Sequence, residues 1–122
     1  MTRYEQKSVA AAADAIQRGH SDTSNLRELL IWTTSKATAP LVGDYFASHL
    51  RDKDLLRHLV AIALEGDDAG DAPWAAANVI AEFPPELLAS QRPALEELAA
   101  HPWAYLHVPA KAALAKLAGY AA

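Results

Sequence analysis

Two pairs of side chains stand at the i, i+4 helical spacing that could start a metal site: Asp54 with His58, and Glu97 with His101. A zinc ion needs three or four N, O or S ligands. The five histidines (His20, His49, His58, His101, His107) offer no His-Glu-x-x-His run and no third ligand at matching spacing, and the chain has no Cys. No metal site is therefore expected, and each pair reads as a surface contact worth roughly 0.3 kcal/mol. The segment Glu65-Gly66-Asp67-Asp68-Ala69-Gly70-Asp71 is dense in oxygen ligands but lacks the alternating acids and closing Glu of an EF-hand loop. Its expected work is solvation, capping of the following helix by Asp71, and attraction of a basic partner, with a weak calcium site as the alternative. Ser8, Ser48 and Ser90 lie in no nucleophile-elbow context, no Gly-rich phosphate loop occurs, and Glu82 and Glu86 flank a Pro-Pro turn. No catalytic residue and no cofactor is assigned.

Charge and aromatic side chains carry more information. The net charge of −4 hides an asymmetry: residues 65–97 hold eight acids against Arg92 alone, giving −7, and the remainder carries +3. Such a field repels nucleic-acid phosphates and draws cationic partners, so nucleic acid is not expected as a partner, and since no apolar stretch approaches the length of a membrane span, a membrane is not expected either. Trp32, Trp74, Trp103, Tyr45 and Tyr105 fit packing at helix starts, or, where exposed, anchors of an interface. Trp74 and Trp103 each follow a Pro near a turn between helices. Together these features nominate Asp67, Asp68, Asp71, Trp74, Glu82 and Glu86 as partner-binding residues.

The elements that must position these residues are helices. The 52% apolar content comes largely from Ala, and β-branched residues never alternate with polar ones over a useful length. The spacing predicts a first helix over 4–18, with Val9, Ala12, Ala13 and Ile16 on one face and Gly19 ending it. A second helix starts near Ser24 or Asn25 and carries Leu26, Leu29 and Leu30. Thr38 caps a third with Leu41, Val42, Tyr45, Phe46 and Leu50 at helical spacing. A fourth, from about Leu55, is apolar nearly all round except near Arg57 and His58, which suits a central position. A fifth spans 72–83 and stops at Pro84-Pro85. A short turn of helix follows at 85–90, then a sixth helix from Pro93 through Ala100. Pro109 starts or kinks a last helix that runs through Ala118 and is closed by Gly119.

Thr38-Ala39-Pro40-Leu41 and Asp71-Ala72-Pro73-Trp74 repeat one phrase 33 residues apart. Two interleaved series keep a similar period. One is Leu26..Leu29-Leu30, Leu59..Ile62-Ala63 and Leu95..Leu98-Ala99; the other is Ala12-Ala13..Ile16, Phe46-Ala47..Leu50, Ile80-Ala81..Phe83 and Leu114-Ala115..Leu117. With these motifs the chain resembles a HEAT-type α-solenoid. The resemblance implies an all-α fold: a short right-handed solenoid of about seven helices, one leading helix plus three antiparallel pairs. It treats residues 1–122 as a single domain with units at about 2–19, 24–51, 54–83 and 85–119. Trp74 stands where such repeats usually carry an Arg after the capping Asp, and the Trp, Leu-Gly, Tyr and Pro signature of tetratricopeptide repeats is absent.

In size, charge and Ala content the chain also resembles small bacterial immunity proteins, which neutralise a toxin delivered by neighbouring cells. That resemblance implies a non-enzymatic, cytoplasmic protein that binds a basic partner such as a nuclease toxin, and that is a monomer or weak homodimer when free. The start of the chain is too weakly apolar for a signal peptide. Two alternatives stay open. One is a scaffolding or self-associating adaptor; the other, more remote, is a helical-repeat DNA glycosylase, which would need a basic stripe that the dispersed Lys and Arg residues do not form.

Overall fold

The computed structural model describes residues 2–66 and 70–121, and all regular structure among them is helical. The all-α expectation holds. Contacts divide the chain into two compact units, Met1–Ser48 and His49–Ala122.

The first unit contains α1 (Arg3–Arg18), α2 (Thr23–Trp32) and α3 (Ala39–Ala47). A capping box opens α1: Thr2 Oγ1 accepts from the Glu5 N–H and Glu5 Oε1 accepts from the Thr2 N–H, each at 3.1 Å. Gly19, at φ 80°, closes it as expected, in a conformation that costs a side-chain-bearing residue about 1–2 kcal/mol. The buried face is not the one the spacing suggested. Ala12 and Ala15 are sealed and Ser8 is nearly so, whereas Ala13 is exposed and Val9 and Ile16 are only half-buried. Small residues let α1 lie close against α2 and α3, whose Leu26, Leu29, Leu30, Val42 and Phe46 are buried.

Asp22, two residues before the expected start, caps α2 by accepting from the Ser24 N–H at 2.9 Å. At the other end of α2 the carbonyls of Leu30, Ile31 and Trp32 each receive a threonine hydroxyl, from Thr33 (2.6 Å), Thr34 (2.7 Å) and Thr38 (2.7 Å). Thr38 is therefore not the side-chain cap of α3. It occupies the N-cap position without a capping hydrogen bond, fully buried, with its hydroxyl turned back to the preceding helix. Asn25 donates from Nδ2 to Ala15 O at 2.8 Å and also to Gly19 O, which ties the start of α2 to the end of α1 as a hairpin. Tyr45, near the end of α3, meets His20 just past the end of α1 (Oη to Nδ1 2.5 Å), so α1 and α3 run in the same direction.

The second unit contains α4 (Lys53–Ala63), α5 (Asp71–Ile80), the four-residue α6 (Pro85–Leu88) with a 3-10 turn at Ala89–Gln91, α7 (Arg92–Ala99) and α8 (Ala104–Ala121). Asp52 caps α4 through the N–H groups of Asp54 and Leu55. Leu55, Leu56, Leu59, Ile62 and Ala63 are buried, but Lys53, Asp54, Arg57 and Ala61 are exposed, so α4 is one-sided. Of α5, by contrast, only Asp71 and Asn78 are exposed and Trp74 half-buried. Gly70, at φ 82°, takes the N-cap position of α5 and gives no side-chain cap, while the expected cap Asp71 is the first residue inside the helix. There its charge still favours the helix dipole. The helix ends at Ile80, and Ala81-Glu82-Phe83 form a turn before the prolines rather than its last turn.

The last helix departs most from expectation. Pro109 lies inside α8, which starts at Ala104 and runs past Gly119. The first backbone bonds, from Leu106 and His107 to Trp103 O, start the helix upstream of the proline, which then removes only the donor to Tyr105 O. Trp74 packs on Tyr105 at the N-terminal ends of α5 and α8, and Lys116 near the end of α8 reaches the carbonyls of Ala81 and Phe83 just past α5. The two helices therefore run parallel.

Candidate functional site

Because α5 buries nearly all of its surface, the strip it leaves open is narrow: Asp71, Trp74 and Asn78, three residues at helical spacing. Alongside it, α8 presents Ala104, Tyr105 and Val108. Between the two helices lies an open groove of about 270 Å³ lined by Trp74, Asn78, Ala104, Tyr105, Val108 and Pro109. Apolar surface dominates it. Tyr105 and Val108 are 55% and 60% exposed, which is unusual for an aromatic and a β-branched residue on a helix that already has a buried face.

Two rings, Trp74 and Tyr105, line the groove, and a third, Trp103, packs on Tyr105. Tyr105 lies 5.0 Å from Trp74 at a 55° tilt and 5.3 Å edge-to-face from Trp103. The turn that sets Trp103 is built by two histidines. His101 Nδ1 accepts from the Trp103 N–H at 3.0 Å, and His107 Nδ1 lies 2.8 Å from the His101 carbonyl. This use of His101 replaces the pair with Glu97 that the spacing suggested, because α7 stops at Ala99 and the i, i+4 register ends with it. The other pair is also not formed: Asp54 binds Arg57 at 3.0 Å, and His58 Nδ1 is buried without a hydrogen-bond partner. Among the described residues no group of three or more His, Cys, Asp or Glu side chains is placed to hold a metal ion.

The nominated residues separate into three groups. Asp71 and Trp74 share the open strip of α5, and Glu82 is exposed in the turn that follows that helix; none of the three makes an ion pair among the described residues. Glu86 is different. Its Oε1 accepts from Arg51 Nη1 at 2.6 Å, and its carboxyl is held below the ordinary 4.5, first by a backbone N–H in the opening turn of α6 and then by the Arg51 guanidinium. Its charge is locally compensated, so it contributes less to the outward field than composition suggests. Asp67 and Asp68 lie outside the described residues.

Sequence reasoning named Trp74 but missed Asn78, Val108 and Pro109 as its companions. Their placement depends on α5 and α8 being parallel neighbours, which no local pattern declares. Trp103 and Tyr105 fit the anchor expectation by residue type, and the rings do cluster. Trp32 and Tyr45 belong to the other unit, where Tyr45 holds His20 and Trp32 Nε1 lies 3.5 Å from Glu28. No described helix is long and apolar enough to cross a membrane. Compared with family models, curated proteins and solved structures, the chain matches none of them.

Proposed function

We propose that this chain is a non-catalytic protein-binding module that docks a basic partner on the α5–α8 surface. The observation that carries the reading is the coincidence of an exposed aromatic groove with uncompensated carboxylates at Asp71 and Glu82. Exposed aromatic and apolar side chains give an interface its slow release, and surrounding charge of one sign raises the association rate. The most concrete form is an immunity protein: carboxylates take the place of phosphates on the cationic face of a nuclease toxin. The HEAT-like repeat architecture belongs to the same proposal. It is supported by the parallel pair α1 and α3 in the first unit and by the parallel pair α5 and α8 in the second, each about one repeat apart in sequence.

Protection is the test. A nuclease toxin encoded next to this gene, expressed alone, should arrest growth, and co-expression of this chain should restore it. The Asp71→Lys, Val108→Glu double variant, both at exposed positions, should fold and fail to protect. No rescue by the wild-type chain, or full rescue by the double variant, would sink the proposal. A second reading, self-association, is favoured by one feature: α8 leaves Tyr105, Val108, Ala112 and Ala115 exposed along one face. Sedimentation equilibrium separates the two, since a stable dimer dissociated by Val108→Glu supports self-assembly and a monomer supports a foreign partner.

A further inference from the structure

We propose that the α5–α8 groove is a socket for an arginine side chain of the docked partner, an inference that rests on the protein-binding reading above. The occupant must match three features at once. Val108, Pro109 and Ala104 offer an apolar track that suits an alkyl stem. Trp74 and Tyr105 both line the groove, and aromatic rings favour a flat, weakly hydrated cation over a compact ammonium. Asn78 lines the same groove without a hydrogen-bond partner among the described residues, and Asp71 stands on the same strip one turn before Trp74.

Other occupants fit less well. A purely apolar anchor would cover the Asn78 amide without a partner, which costs about 1–3 kcal/mol. An anion would meet the Asp71 charge on the same strip with no cation in the lining to offset it: Lys111 and Lys116 both lie outside the groove, and Lys116 is engaged by the Ala81 and Phe83 carbonyls. A guanidinium has five donors for the Asn78 carbonyl and the Tyr105 hydroxyl, it packs on the indole, and Asp71 on the same strip attracts its charge without touching it.

The test uses the full chain, labelled with 15N, and N-acetyl-arginine amide as the probe, with N-acetyl-lysine amide and N-acetyl-norleucine amide beside it. The arginine probe should shift the Trp74 indole N–H and the Asn78 side-chain amide saturably, in the millimolar range. The lysine probe should bind more weakly and the norleucine probe weakest. Asp71→Asn and Asn78→Ala, both at exposed positions, should each weaken the arginine probe by about threefold to tenfold. Equal binding of norleucine and arginine would overturn the guanidinium assignment while leaving an apolar docking groove in place. Absence of any saturable shift with arginine would overturn it as well. Neither result touches the growth-protection outcome, which judges the docking reading separately.

Discussion

Thr38 is a case in which residue type and residue role part company. A threonine before Ala-Pro has the composition of an N-cap. Yet its hydroxyl reaches Trp32 O at 2.7 Å, with Ser35 O at 3.4 Å, and no N–H of α3 bonds to it. The two roles predict opposite responses. If it were a cap, Asp would serve as well as Thr. As a buried donor to a carbonyl, Thr38→Val should cost about 1.5 kcal/mol, and Thr38→Asp should cost more, because a carboxylate has no donor for two carbonyls and resists burial. Urea denaturation of the two variants gives the order directly, and an Asp variant more stable than Val would restore the capping role. Glu86 yields a second prediction. Its carboxyl titrates below 4.5 in the folded chain, so its contribution is present above that value and fades as pH falls through the lowered folded value. The gap in Tm between wild type and Glu86→Gln should therefore be constant near neutrality and close on acidification below about pH 4. A gap that widened in acid would contradict the assignment.

At the scale of elements, the sequence was most legible where chain chemistry is local. Gly19 and Pro93 mark helix ends close to where the structure has them, since φ preferences need only a few neighbouring residues. It was least legible where a distant residue intervenes. Nothing near Lys116 announces that its ammonium caps the far end of α5, yet it binds the carbonyls of Ala81 and Phe83, the latter at 3.2 Å, 33 residues away in sequence. Likewise Pro109 has the local marks of a helix start, but the turn made by His101 and Trp103 begins α8 five residues earlier. The Trp74 neighbourhood was half legible. Its exposed strip follows from α5 periodicity, whereas the opposite wall comes from a helix about thirty residues downstream. If Lys116 closes α5, Lys116→Met should lower stability by about 1 kcal/mol, since a charge-assisted bond that is partly exposed delivers less than a buried one. Amide exchange should quicken in the turn after Ile80. Lys111→Met, at an exposed position with no partner among the described residues, should change neither.

For the molecule as a whole, charge matters by where it is left uncompensated and not by its sum. The stretch 65–97 carries −7, but the arrangement of side chains divides that figure. Glu86 spends its charge on Arg51. Asp71 and Glu82 stand exposed near the two ends of the α5 strip without an ion-pair partner among the described residues. Steering acts through the field that reaches solvent, over roughly 8 Å at physiological ionic strength, so paired and unpaired carboxylates should not count equally. With a nona-arginine peptide as the cationic probe, the association rate should fall steeply with added salt for the wild-type chain. Asp71→Lys with Glu82→Lys should slow association by about tenfold at low salt and flatten the salt slope. Glu96→Lys with Glu97→Lys, at exposed positions of α7 and with the same change in net charge, should slow association less, because those carboxylates stand off the α5 strip. Stopped-flow rates at several ionic strengths decide it. If the two pair reversals slowed association and flattened the salt slope equally, net charge alone would govern recognition, and the α5–α8 surface would lose its claim to be where the partner arrives.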